Sequence, residues 1–138
     1  MIANLEQYFK SDYQFYLNRI KYDRIESEHK DGEVSLNCTD NISVTVNGDV
    51  GISLSVTRKM HFEPSVLFEL EVSFGADLLF VKEKQEEINW NEIDLANEFK
   101  QNGEFVLQNI MSRMSLLIAQ ITSSSGQTPL ITPPGIPN

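Results

Sequence analysis

The stretch EIDLANEFKQNGEFVLQNIMSRMSLLIAQITSSSGQTPLITPP, residues Glu92–Pro134, decides the fold. Ala96, Phe99, Val106, Leu107, Ile110, Met114, Leu117, Ile118 and Ile121 fall at steps of three, four or seven residues, with neighbouring pairs. That is a single apolar stripe at helical period, so the spacing predicts one long amphipathic helix, with Asn91 as its candidate cap. Gly103 lies in phase with the stripe, where it either breaks the helix or admits a close approach by another backbone. The stripe ends at Thr122-Ser123-Ser124-Ser125-Gly126, a helix stop with glycine. Gln127 to Pro134 follows as an extended segment, because proline fixes its own φ and restrains its predecessor.

The stripe is broader than one small sheet requires. Phe105-Val106-Leu107 and Leu116-Leu117-Ile118 are consecutive apolar triplets. Three successive residues subtend about 200° of a helix with 3.6 residues per turn. The excess points to a second apolar contact, most simply another subunit, with Ile110, Met114, Leu116, Leu117 and Ile121 as interface candidates.

Upstream, three runs alternate cleanly. Val34, Leu36, Cys38, Ile42, Val44 and Val46 face one way; then come Val50, Ile52, Leu54 and Val56, and then Val66, Phe68, Leu70, Val72 and Phe74. This is a three-stranded antiparallel meander with one buried face, and the even-numbered residues are inside. Opposed residues of an antiparallel pair share a face, so both loops must be odd in length. The first is predicted as Asn47-Gly48-Asp49, with Val46 opposite Val50. Asp40 interrupts the apolar face and reads as a bulge or bend. Cys38 reads as a small buried hydrophobe, and Gly75 as a kink before Leu78, Leu79, Phe80 and Val81. Before the meander, Tyr13, Phe15, Tyr16, Leu17, Ile20, Tyr22 and Ile25 make a strand with apolar residues on both faces, hence central or twice covered. Lys30-Asp31-Gly32 is a turn signal. Leu5, Tyr8 and Phe9 form either a turn or two of helix or an apolar arm.

The chain of 138 residues carries 11 Lys plus Arg against 20 Asp plus Glu, a net charge of −9. Such a surface is a poor partner for nucleic acid or anionic membranes. No apolar run reaches membrane-spanning length, and Met1-Ile2-Ala3-Asn4 lacks a signal-peptide start, so a cytoplasmic protein is expected. Cys38 is the only cysteine. His29 and His61 read as loop residues without companions at metal-ligand spacing. Ser123, Ser124 and Ser125 have no elbow motif and no identifiable base. No phosphate loop or dinucleotide fingerprint is present. The expectation is therefore not an enzyme, with no cofactor and no metal.

The order of parts, ending in Thr128-Pro129-Leu130-Ile131-Thr132-Pro133-Pro134, resembles the SecB family of bacterial protein-export chaperones. In that family a proline-flanked leucine segment follows the long helix. The resemblance spans Tyr13 to Pro134. It implies an α+β fold: a four-stranded antiparallel sheet with a crossover between strands 1 and 2 (Asp23 to Glu33), strand 1 beside strand 4, packed on a long C-terminal helix. Residues 1–138 would form one such domain, with an N-terminal arm 1–12 and a Ser/Pro-rich extended tail 123–138.

The resemblance further implies a homotetramer, a dimer of dimers, that holds unfolded polypeptides and passes them to the SecA motor of the Sec pathway without nucleotide or metal of its own. Client contacts are expected at Tyr22, Ile25, Trp90, Phe105, Leu130 and Ile131. Aromatic side chains offer large contact area with little sequence demand. The competing assignment for each of the six is the core. Glu69 and Glu71, on the polar sheet face, are the expected partner contact. Two features depart from the family pattern. The family's second helix after the proline segment is not expected here, the sequence running only to Gly135-Ile136-Pro137-Asn138. Ser112, Arg113, Met114 and Ser115 also replace aromatic-proline and Tyr-x-Arg features. Two other functions compete: a SecB-like chaperone dedicated to a toxin–antitoxin pair, and an oligomeric structural module without a client.

Overall fold

The computed structural model describes residues 2–26 and 32–133. His29, the Lys30-Asp31 part of the turn signal, and Pro134 to Asn138 lie outside the described residues. The alternating runs form strands β2 (Ser35–Asn47), β3 (Gly51–Glu63) and β4 (Leu67–Leu79), and the aromatic run forms β1 (Gln14–Ile25). All pairings are antiparallel, in the order β1-β4-β3-β2, so strand 1 does lie beside strand 4. β1 therefore pairs on one side only, where the sequence suggested a central or twice-covered strand. The helical part divides into α1 (Lys82–Gln85), α2 (Leu95–Asn102) and α3 (Glu104–Ser124).

Even-numbered residues of β3 and β4 form the buried face, as the alternation predicts: Ile52, Leu54, Val56, Met60, Phe68, Leu70, Val72, Phe74, Ala76 and Leu78. The β2 hairpin keeps the predicted odd parity but sits two residues away in register. Val46 opposes Ile52, and Asn47 opposes Gly51. The unpaired residues are therefore Gly48, Asp49 and Val50, with Gly48 at φ 56 closing the turn and Val50 exposed. This register brings Asp40 opposite Arg58. The ladder runs unbroken through Asp40, so the predicted bulge is absent and the interruption is half of an ion pair. Of the apolar residues of β2, only Ile42, Val44 and Val46 are half-buried and packed against the core. Val34, Leu36 and Cys38, at the uncovered end of that edge strand, are exposed, so Cys38 is not the buried hydrophobe its position suggested.

The irregularity expected at Gly75 lies instead in β1. Leu17 opposes Phe74 and Arg19 opposes Ser73, leaving Asn18 as the bulged residue. A bulge reverses the phase of a strand. Tyr13, Phe15 and Leu17 before it and Ile20 and Tyr22 after it therefore share one face, the one that carries the core. The phase slip thus accounts for most of the two-faced pattern in the sequence; only Tyr16, opposite Gly75, and Ile25, opposite Leu67, lie on the other face. β4 runs straight through Gly75, where the Tyr16 ring crosses so closely that a Cβ would lie 2.4 Å from it. β1 pairs as far as Ile25 with Leu67, so the crossover begins later than Asp23.

Asp94, not Asn91, caps the first long helical piece, its Oδ1 accepting from the Asn97 N–H at 3.2 Å. Of the two roles its position allowed, Gly103 takes the first and breaks the helix. It ends α2, donating to the Phe99 carbonyl at 2.8 Å, and its carbonyl accepts from Val106 and Leu107 at the start of α3. A Cβ there would meet the Phe99 carbonyl oxygen at 2.4 Å. The buried stripe of α3, Val106, Leu107, Ile110, Met111, Met114 and Ile118, packs on the sheet, chiefly on β4. The N-terminal segment is core rather than arm. Leu5–Tyr8 is a 3-10 turn, and Leu5, Tyr8 and Phe9 are buried. Lys10 donates to the Leu79 carbonyl at 2.8 Å, and Val81 donates to the Tyr8 carbonyl at 2.9 Å.

Candidate functional site

Two surfaces on the helix-bearing side of the sheet stand out, one an exposed apolar strip and the other a docked tail. The first follows from the β1 bulge. Because the phase slip keeps its apolar residues on one face, they run beside α3 along its length. At one end Tyr13 packs edge-on against Phe15 (6.2 Å between centroids) and against Phe105 at the start of α3 (5.9 Å). Burial, with Glu6 adding, raises the Tyr13 hydroxyl above its usual pKa. The Arg113 guanidinium lies over the Phe15 ring at 5.3 Å, a cation–π contact midway along α3. At the far end Tyr22 stacks on buried Phe68 (5.4 Å). There an open groove of about 410 Å³ is lined by Tyr22, Leu117, Gln120, Ile121, Ser124 and Ser125. Between the two ends Leu17 and Ile20 remain 48% and 43% exposed. The result is an elongated apolar strip with aromatic ends and few charges.

The second surface is the docked tail. Arg58 and Asp40 form a two-pronged pair, Nε to Oδ1 at 2.7 Å and Nη2 to Oδ2 at 2.8 Å, with side chains 0% and 4% exposed. Burial opposes the Arg58 charge, but the Asp40 carboxylate outweighs it and the net shift is upward, so the guanidinium stays charged. Its Nη1 also donates to the Thr132 hydroxyl and to the Pro133 carbonyl, both at 2.9 Å. The proline segment thus returns along α3 and closes over this pair.

Of the six expected client contacts, the structure gathers two on the β1 strip, Tyr22 and Phe105, both half-buried. Ile25 lies on the opposite sheet face from Tyr22, three residues further along a strand that alternates. Trp90 is core: it is 4% exposed among Tyr8, Phe9 and Phe80, and its Nε1 donates to the Gln85 carbonyl at 2.9 Å. Leu130 is half-buried in the docked tail, and Ile131 is 80% exposed. Among the interface candidates, Ile110 and Met114 are fully buried against the chain's own sheet and present nothing outward. Leu117 and Ile121 line the groove, and Leu116 is 62% exposed.

Glu69 and Glu71 do lie on the polar sheet face, but that face is mixed in sign. Arg19 and Lys59 bridge Glu71 at 3.3 and 3.5 Å. Lys21, Asp23, Lys59 and His61 surround the two glutamates in a shallow depression. His61 belongs to β3 rather than a loop, with Nε2 3.2 Å from Glu63 and 3.4 Å from Asn37. Among the described residues no group of three His, Cys, Asp or Glu side chains is placed to hold a metal, and no helix is long and apolar enough to cross a membrane.

Sequence reasoning missed Leu17 and Ile20 as site residues, and Arg58 altogether. The signals were present as the phase slip between Leu17 and Ile20, and as an arginine in the apolar phase of β3.

No family model and no curated protein matches the sequence. Among solved structures, the chain is similar to a SecB-like chaperone of Mycobacterium tuberculosis, in complex with a ChAD peptide from the HigA1 antitoxin. The TM-score is 0.60 at 8% identity, covering 91% of this chain and 86% of that one. A protein of unknown function from Streptococcus agalactiae matches at a TM-score of 0.35 and 12% identity, over 91% of this chain and 98% of that one, too low to bear on the fold. The fold of this chain is therefore SecB-like: a β1-β4-β3-β2 antiparallel sheet on a long C-terminal helix.

Proposed function

We propose that this chain is a non-enzymatic, cytoplasmic holdase that binds extended apolar segments of unfolded polypeptides along the β1–α3 strip. The observation that carries the reading is the exposure of Leu17 and Ile20 beside the Tyr22–Leu117–Ile121 groove, on the covered face of a SecB-like sheet. Burying one leucine-sized side chain is worth about 1.5–3 kcal/mol, so such a strip favours occupation. Its breadth and small number of charges suit apolar segments of many sequences. The test is aggregation of a chemically denatured client diluted into buffer with equimolar protein. The wild type is expected to suppress most of the light scattering and Tyr22→Asp with Ile20→Asp to lose that suppression. Equal suppression by wild type and variant would remove the strip from the reading.

A dedicated role in a toxin–antitoxin pair is the second reading. It is favoured by the similar mycobacterial chaperone, whose structure contains an antitoxin peptide. Delivery to the Sec pathway would need a motor contact. Glu69 is the candidate for it, since Glu71 is already held by Arg19 and Lys59.

The outer side of α3, where Leu116 is 62% exposed, supports assembly as a homotetramer. Leu116→Lys is expected to shift the mass seen by multi-angle light scattering toward smaller species, and Ser112→Lys to leave it unchanged. A wild-type monomer at micromolar concentration would sink the assembly.

A further inference from the structure

The last described segment, Gln127–Pro133, is held in an unusual way: the side chains of the domain grip its backbone. Thr122, 0% exposed, donates its hydroxyl to the Ile118 carbonyl at 2.8 Å, and the same oxygen accepts from the Leu130 N–H at 2.9 Å. Ser115, two helical turns earlier on α3, donates to the Thr132 carbonyl at 2.8 Å. Arg58, fixed in orientation by Asp40, donates to the Pro133 carbonyl at 2.9 Å. Three bonds therefore read main-chain groups of an extended segment, which any sequence can offer. Side chains alternate as they do for a strand in a groove. Leu130 turns inward against the core, Ile131 is exposed, and Thr132 is 6% exposed with its hydroxyl on Arg58. Main-chain bonds with pockets for alternate side chains are the physical pattern by which extended peptides are recognised.

We propose that Arg58, Ser115 and Thr122 form a second peptide site, distinct from the β1–α3 strip, which the chain's own Gln127–Pro133 segment occupies in cis. Its ligand class is an extended polypeptide with an apolar side chain two positions before a hydroxyl one. The tail reaches the site through a short loop at Ser125-Gly126, so its effective concentration there is on the order of millimolar. A segment supplied in trans at micromolar concentration is excluded until the tail leaves. The site thereby adds a gated contact for the polypeptide partners proposed above. It does not depend on them, since its own test uses the tail sequence as ligand.

The probe is a fluorescent, end-capped peptide of sequence QTPLITP, titrated by anisotropy against full-length protein. The tail-released variant Leu130→Asp with Thr132→Val alters the segment and leaves the sheet, α3 and Arg58 in place. It is expected to bind the peptide at least tenfold more tightly than the wild type does. Adding Ser115→Ala and Thr122→Val to the released variant is expected to return affinity to the wild-type level. In the wild type, the Leu130 amide is expected to exchange with deuterium at least tenfold more slowly than in an unstructured peptide, and Thr122→Val to abolish that protection. Equal affinity in wild type and released variant, an unprotected Leu130 amide, or binding that is insensitive to Ser115→Ala and lost with Tyr22→Asp would each overturn the proposal. A protein that passes these tests but fails to suppress client aggregation would retain the cis-occupied site and lose the holdase role.

Discussion

Replacing Arg58 by alanine is expected to lower the free energy of unfolding by about 3–5 kcal/mol, because it strands Asp40 as an uncompensated charge. Asp40 is 4% exposed and takes both prongs of the guanidinium, so water cannot readily replace the lost partner. The same change removes the donors to the Thr132 hydroxyl and the Pro133 carbonyl, so the tail loses its anchor along with the sheet's internal charge balance. Urea unfolding followed by fluorescence of Trp90, the single tryptophan, measures the loss. The double variant Asp40→Leu with Arg58→Met is expected to recover most of the stability while leaving the tail released. A well-packed apolar pair of similar volume is often as stable as the buried ion pair it replaces. A loss below about 1 kcal/mol for Arg58→Ala would mean that Asp40 finds another partner or is solvated, contrary to the burial seen here.

Phe99→Ala is expected to cost a similar amount, about 3–5 kcal/mol, through a cavity at the centre of the aromatic cluster. Phe99 is 0% exposed, and its ring meets Phe9 at 5.8 Å and Phe105 at 6.0 Å. It therefore joins the N-terminal turn, the end of α2 and the start of α3. Its backbone carbonyl also receives the Gly103 N–H that closes the helix break. No single neighbouring group can move in to fill the space, since the surrounding rings belong to different elements. Conservative Phe99→Leu is expected to lose about half as much. The same urea titration checks both. Equal stability of Phe99→Ala and wild type would show that the cluster collapses freely and would refute the central place given to this ring.

Much of the architecture was legible because periodicity is a local property. Even phase in Ile52–Val56 and Phe68–Phe74 identified one face of the meander, and parity alone required odd loops. The stripe from Ala96 to Ile121 identified the helical segment and Gly126 its end, but as one helix capped at Asn91, where the structure has α2 and α3 divided at Gly103. What periodicity cannot state is which element covers a face. Ile110 and Met114 share the stripe with Leu117 and Ile121, yet the first two are sealed under the sheet and the second two border an open groove. Trp90 and Tyr22 are both aromatics beside a strand or helix end, but one sits among Tyr8, Phe9 and Phe80 and the other on the sheet's edge.

The sequence by itself determined the strands, their common phase, the long helix and the extended character of the proline segment, because each depends on residues within a few positions of one another. Only the tertiary structure decided the rest. The Asn18 bulge placed four apolar residues of β1, Phe15, Leu17, Ile20 and Tyr22, on one face; a two-residue difference in hairpin register set Asp40 against Arg58; and the returning tail closed over that pair. These arrangements join groups from 18 to 75 residues apart, and the free energy that selects them comes from burying charge and apolar surface between elements, which no local pattern encodes.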